Sequence, residues 1–141
     1  MCSIIGYSGN EIAAPIIVKG LKRMEYRGYD SVGVATESQN QIELKKGTGK
    51  VTEVNSKFQL DTLPGKIGIG HTRWATHGKV TDLNAHPHPS NSGKIAIVHN
   101  GIIENFEELK KQLEGDGYSF KSETDSEIIA NLLQKNYEST K

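Results

Sequence analysis

Apolar and polar positions change period several times along this chain, and each change marks an element. Ile4–Tyr7 is a short apolar run closed by Ser8-Gly9-Asn10, the pattern of a buried strand ending in a turn. Ala13, Ile16, Ile17, Gly20, Leu21 and Met24 then recur at i, i+3, i+4, i+7, i+8 and i+11, one apolar helix face with Pro15 near its first turn. Ser31–Thr36 and Gln41–Lys46 read as the strands of a hairpin joined by the turn-rich Glu37–Asn40, and Val51–Phe58 as a short helix. Two more strands are expected at Lys66–His71 and Lys94–His99. Between them Arg73–Gly93 has no periodicity and is rich in Gly, Pro, Asn and His; a loop of roughly 20 residues in a compact domain is more often functional than accidental. Asn105–Leu113 predicts a helix ending near Gly115. Ile128, Ile129, Leu132 and Leu133 predict a last amphipathic helix, opened by Thr124-x-x-Glu127 in the capping-box pattern. Hairpins mixed with helices indicate an α+β domain rather than a regular βαβ alternation. The chain stops after that helix with no closing strand, which predicts a portion of a longer fold.

The length of 141 residues suits one domain with a real core. Seventeen basic residues balance seventeen acidic ones, and no basic block is present, which argues against nucleic acid or an anionic membrane as the main partner. Mean hydropathy is −0.52 and no apolar run approaches the length of a spanning helix. Cys2 is the only cysteine, so no internal disulfide and no thiolate-rich metal site can form. The apolar start lacks a basic leader, so no signal peptide is readable, and the expectation is a soluble, cytoplasmic chain. His86-Pro87-His88-Pro89, with His71, His77 and His99, invites a metal reading. The absence of clustered carboxylates or thiols favours satisfied loop histidines and no metal. Gly28 and Gly33 make no dinucleotide fingerprint.

Four places could carry chemistry. Cys2 would become an N-terminal residue on removal of Met1, joining a thiol to an α-amine that titrates near pH ~8 and can act as its base. The alternative is a small apolar residue before a strand, or a lipid acceptor. Asn100-Gly101 is either a hairpin turn or a pair of oxyanion donors, the Asn amide and the Gly N–H. Arg73, opening Arg73-Trp74-Ala75-Thr76-His77-Gly78, is either a carboxylate clamp or a surface Arg stacked on Trp74. Asp125 is either an acid favoured by a helix N-terminus or a partner for an ammonium group.

Several blocks together carry a resemblance. They are Met1-Cys2; Arg23-Met24-Glu25-Tyr26-Arg27-Gly28-Tyr29-Asp30-Ser31; His71-Thr72-Arg73-Trp74-Ala75-Thr76-His77-Gly78; Asn84-Ala85-His86-Pro87-His88; Val98-His99-Asn100-Gly101-Ile102-Ile103-Glu104-Asn105; and Ser122-Glu123-Thr124-Asp125. In this order, over nearly the whole chain, they resemble the glutaminase domain of the glutamine–fructose-6-phosphate aminotransferases, and more loosely other class II amidotransferases such as those acting on phosphoribosyl groups. The resemblance implies an N-terminal-nucleophile hydrolase fold, an αββα sandwich, present here as an incomplete portion over residues 1–141 and lacking the family's sugar isomerase domains.

It further implies that L-glutamine is hydrolysed to glutamate and ammonia through a Cys2 thioester. The α-amine of Cys2 would be the base, and Asn100 with the N–H of Gly101 the oxyanion hole. Arg73 would hold the α-carboxylate with Thr76 and His77 nearby, Asp125 the α-ammonium, Trp74 a closing loop, and Arg27 would be structural support. No cofactor is implied. Fructose 6-phosphate would be met only through the missing domains, and the full-length enzyme would be a homodimer. Two departures stand out: Ser3 replaces a Gly usual after the nucleophile, which would put a Cβ into a crowded site, and Val80 replaces a Pro common in the long loop. A non-catalytic module that binds glutamine or a partner chain is the competing reading.

Overall fold

The computed structural model describes residues 1–75 and 78–141. Thr76 and His77 lie outside the described residues. β1 (Ser3–Ser8), β2 (Ser31–Ser38), β3 (Gln41–Thr48) and β4 (Ile67–Arg73) form an antiparallel sheet in the order β1-β4-β2-β3. A second, two-stranded sheet pairs β5 (His88–Pro89) with β6 (Ala96–Ile97). α1 (Ala13–Met24) and α2 (Val51–Phe58) cover the outer face of the first sheet, and α4 (Ser126–Ser139) covers the second, with α3 (Phe106–Gly115) against α4. The layers run helix, sheet, sheet, helix, as expected.

Strand alternation decides which side chains meet the other sheet, because successive residues point to opposite faces. Ser3, Ile5 and Tyr7 pair with Thr72, Gly70 and Gly68, and all face the α1 side. Gly68 and Gly70 let α1 lie close: a Cβ on Gly70 would come 2.4 Å from Ile17 Cγ2. Ile17, Val18 and Leu21 fill that space with Val32 and Val34 to make the main core. The opposite face carries His71 and Arg73 from β4, Gly33 from β2 and Lys46 from β3 toward the second sheet. At Gly33 a Cβ would lie 2.1 Å from the His86 carbonyl oxygen, so the two layers touch through backbone there.

Three expectations need correction. Lys94–His99 is not a six-residue strand; only Ala96–Ile97 pairs, against a partner strand equally short. The N-terminus of α4 is not closed by a Thr124–Glu127 box. Glu127 instead accepts from the N–H groups of Lys121 (2.9 Å) and Ser122 (2.7 Å), while Thr124 Oγ1 meets His88 Nε2 at 2.9 Å. The buried stripe of α4 is also largely polar. Glu127, Asn131 and Gln134 are buried and Leu133 is exposed, because the loop N–H groups of Asn91 and Ser92 find their acceptors on Asn131 and Gln134, each at 2.8 Å. The backbone N–H groups of Asn91 and Ser92 have no strand partner, and α4 supplies their acceptors from side chains that are themselves buried.

Candidate active site

The cleft lies at the end of the sandwich where β1 begins and β4 ends. Cys2, Arg73, Trp74, Asn100, Gly101 and Asp125 line it together. Cys2 precedes β1 and so faces the inner layer. Its Sγ accepts from the Trp74 N–H at 3.1 Å and lies 3.4 Å from the Trp74 carbonyl oxygen. Ser3, one residue on, points the other way: it is buried on the α1 side with its hydroxyl unpartnered. The expectation that its Cβ crowds the site is therefore corrected by strand alternation, and the cost of Ser3 falls on the core instead.

Arg73 is no surface residue. It is buried at the end of β4, and its guanidinium donates to the carbonyl oxygens of Lys79 (3.1 Å) and Gly78 (3.5 Å). Asp30 holds the chain that follows, donating its N–H to the Arg73 carbonyl at 2.7 Å and accepting from the Ala75 N–H. Asp125 is buried, and its Oδ2 accepts from the Ile103 N–H at 2.7 Å, so it ties the 101–103 segment to the start of α4 as well as facing the cleft. Glu123, two residues earlier, accepts from the Lys79 N–H and the Asn84 amide. Those two bonds hold its carboxyl below the usual carboxylate range.

Asn100-Gly101 is not a hairpin turn, since β6 ends at Ile97 and, among the described residues, no strand follows it in that sheet. Asn100 Oδ1 lies 2.6 Å from His71 Nε2. A side chain at Gly101 would place its Cβ 2.8 Å from His99 Nε2, so this position admits only glycine without displacing the imidazole. Arg27 meets Met1: its carbonyl oxygen accepts from the Met1 ammonium at 2.6 Å, and its guanidinium lies against the Met1 sulfur. Gly28 has φ +124°, and a Cβ there would come 2.9 Å from the Met1 nitrogen and 3.2 Å from the Trp74 ring. The chain's start is thus seated between Arg27 and Trp74. With Met1 present the Cys2 nitrogen is a peptide nitrogen; it becomes a base only when Met1 is removed.

The histidines form the wall behind the cleft. His71 and His86 stack with centroids 4.2 Å apart and planes 18° from parallel, and His88 meets His86 edge-on at 4.5 Å. Burial, with Arg73 and Lys46 among the neighbouring charges, holds all three imidazoles neutral: His71 falls to about 4 and His86 far below its usual value. Lys46 crosses from β3 and donates to the carbonyl oxygens of Leu83 (3.1 Å), Ala85 (2.6 Å) and Pro87 (3.1 Å), and burial pulls it down to about 8. Among the described residues, no group of three His, Cys, Asp or Glu is arranged to hold a metal. The sequence offers His71, His86 and His99 as candidate metal ligands. The contacts of His71 with Asn100 and of His99 with Gly101, and the bond from the His99 N–H to His86, are products of the fold, signalled only by the shared strand face of His71 and Arg73.

A cleft lined by a thiol, an Asn-Gly step and buried Arg and Asp side chains, set on an αββα sandwich, has the layout of the N-terminal-nucleophile amidotransferases. The family model described as "Glutamine amidotransferase domain" matches residues 58–140, and this chain belongs to that family. It is similar to the glutamine–fructose-6-phosphate aminotransferase (isomerizing) of Pyrococcus horikoshii, 58% identical over 136 residues, covering 96% of this chain and 23% of that protein. The enzyme of the same name from Aquifex aeolicus is 53% identical over 137 residues, covering 97% and 23%. Among solved structures, the glutamine phosphoribosylpyrophosphate amidotransferase of B. subtilis has a TM-score of 0.79 and 33% identity, covering 96% of this chain and 29% of that one. The chain therefore spans less than a quarter of the length of these curated relatives. No described helix is long and apolar enough to cross a membrane.

Proposed function

We propose that this chain is the glutaminase part of an aminosugar-forming synthase, releasing ammonia from L-glutamine for transfer to fructose 6-phosphate. The observation that carries the reading is the convergence of Cys2, Arg73, Asn100, Gly101 and Asp125, drawn from four separate stretches of chain, on one cleft. Free glutamine carries opposite charges on its α-groups, and the Asp125 carboxylate and Arg73 guanidinium match them, with Thr76 and His77 following Arg73 in sequence. Once Met1 is removed, the Cys2 amine takes the thiol proton and the thiolate attacks the side-chain amide carbon. The oxyanion so formed is met by the Asn100 amide and the Gly101 N–H. The amine returns the proton to the departing ammonia, leaving a thioester; water then adds, Cys2 is released and glutamate forms. Trp74, half exposed at the rim, would cover the bound glutamine, and Arg27 would seat the N-terminus.

The share of the relatives that the chain spans supports a longer enzyme, with this domain over residues 1–141 followed by sugar isomerase domains; that longer enzyme is proposed to be a homodimer. A reduced, cytoplasmic setting goes with a thiol nucleophile. Transfer to a phosphoribosyl acceptor has weaker support, since the amidotransferase of that kind is 33% identical against 58%. Glutamate and ammonia release from glutamine tests the proposal, measured on the chain shown by intact mass to begin at Cys2 and on its Cys2→Ala variant. Release by the first and none by the second is expected. Equal release by both, or none from the mature chain, would refute the reading, and glutamine binding without release would favour a binding module.

A further inference from the structure

Asn100 can serve an oxyanion only if its NH₂ group, and not its oxygen, faces the reacting amide. A carboxamide is nearly symmetrical in shape, so packing alone cannot choose between the two orientations; a hydrogen bond must. The partner is His71, whose Nε2 lies 2.6 Å from Asn100 Oδ1, while no described group accepts from Asn100 Nδ2. The neutral ring carries one proton; on Nδ1 that proton would be buried without an acceptor, so it belongs on Nε2, and there the carboxamide must present its oxygen, which only accepts. The other ring nitrogen, Nδ1, is buried with no partner. The opposite tautomer would set two lone pairs 2.6 Å apart and strand a buried N–H, two penalties at once, whereas the Nε2–H form leaves only an unused lone pair.

The imidazole has no freedom to turn away. His71 is fully buried on β4, and His86 stacks on it at 4.2 Å. The same His86 accepts from the His99 backbone N–H through Nδ1 at 3.4 Å, so the pair grips the 99–100 segment by side chain and by backbone. His86 is itself held in place by the Lys46 bonds to the carbonyls of Ala85 and Pro87 on either side of it.

We propose that His71 is a positioning residue for glutamine hydrolysis, donating through Nε2–H to the Asn100 oxygen so that the Asn100 amide N–H is directed into the Cys2 cleft. This rests on reading Asn100 as an oxyanion donor. His71 touches neither substrate nor thiol in this arrangement and acts through Asn100 alone.

Two measurements test it on the full chain beginning at Cys2. Long-range ¹H–¹⁵N spectra of the imidazoles at pH 7 report the tautomer without needing activity: the His71 Nε2–H form is expected, and an Nδ1–H form overturns the proposal even if the chain hydrolyses glutamine. Steady-state kinetics then compare His71→Leu, His71→Gln, Asn100→Ala and the His71→Leu/Asn100→Ala double variant. The expected loss in kcat for His71→Leu is roughly 10- to 100-fold, below the 10²–10³ typical of a deleted oxyanion donor because the Asn100 amide is misdirected rather than removed, with KM changed about threefold or less. His71→Gln, which keeps a donor and close to the same volume, should recover most of that loss. The double variant should be no slower than Asn100→Ala, because once Asn100 is gone His71 has nothing to orient. Multiplied losses in the double variant, or no rescue by His71→Gln in a folded protein, would overturn the proposal. An inactive parent chain with the Nε2–H tautomer would sink the glutaminase reading and leave the orienting bond intact.

Discussion

Lowering the pH tests the buried imidazoles behind the cleft. His71, His86 and His88 are 0%, 5% and 1% exposed, and they stack on one another with a guanidinium and an ammonium close by. Burial is the largest reason that each resists protonation. Asn100 partly opposes it at His71, and the other imidazoles, Arg73 and Lys46 reinforce it. His71 is brought to about 4 and His88 to about 2, with His86 lower still. Because the folded values lie below the unfolded value near 6.5, the unfolded chain takes up protons first as pH falls. The stability due to neutral burial is therefore complete above about pH 6.5. It declines below that, stopping near pH 4 for His71 and lower for the other two.

Each imidazole costs about 1.4 kcal/mol per pH unit once well below 6.5, so the three together approach ~4 kcal/mol per unit. At pH 5.5 about 4 kcal/mol should be gone, a large part of the 5–15 kcal/mol that holds a typical domain. Lys46, at about 8, is charged in both states below pH 7 and adds no slope there. Urea unfolding followed by circular dichroism at half-unit steps from pH 7.5 to 5 measures this directly. The slope should correspond to nearly three protons bound on unfolding, falling to nearly two in His88→Gln, which keeps an amide to meet Thr124 Oγ1. A change of under 1 kcal/mol between pH 7 and 5.5 would refute the reasoning, since it would mean that the stack opens to water or takes protons while folded.

Gly33→Ala should lower the melting temperature by several degrees. Its Cβ would meet the His86 carbonyl oxygen at 2.1 Å, and forcing such a contact costs about 1–3 kcal/mol; calorimetry showing an unchanged melting point would contradict the close approach of the two sheets. Asp125→Asn should raise KM for glutamine roughly 10- to 100-fold through the loss of a charge-assisted bond of about 1.5–3 kcal/mol to the substrate ammonium. The amide oxygen can still accept from Ile103, so the fold should hold and kcat should change much less; an unaltered KM would remove Asp125 from substrate binding.

Local order was legible wherever one period ran unbroken. α1 was expected at Ala13–Met24 and forms there, because its apolar side chains recur once per turn and pack on the glycines of β4. The hairpin of β2 and β3 and the short α2 follow in the same way from alternation and spacing. The second sheet was legible only as β6, which lies inside the longer strand expected at Lys94–His99. Its strands are two residues long, too short for a period, and its covering helix α4 buries Glu127, Asn131 and Gln134, residues that sequence patterns assign to solvent.

By itself, then, the order of residue blocks determined the family, the thiol at position 2 and the complementary charges at Arg73 and Asp125, since those depend on residue identity alone. Tertiary structure decided how those groups are aimed. Strand alternation turns Ser3 away from the cleft that Cys2 faces. Residues 29 positions apart meet where His71 holds the Asn100 oxygen, and three histidines that could have been metal ligands become a neutral stack. Such contacts arise from the packing of one sheet on the other. A single chain read in order carries no term for a hydrogen bond between side chains that only this packing brings within reach.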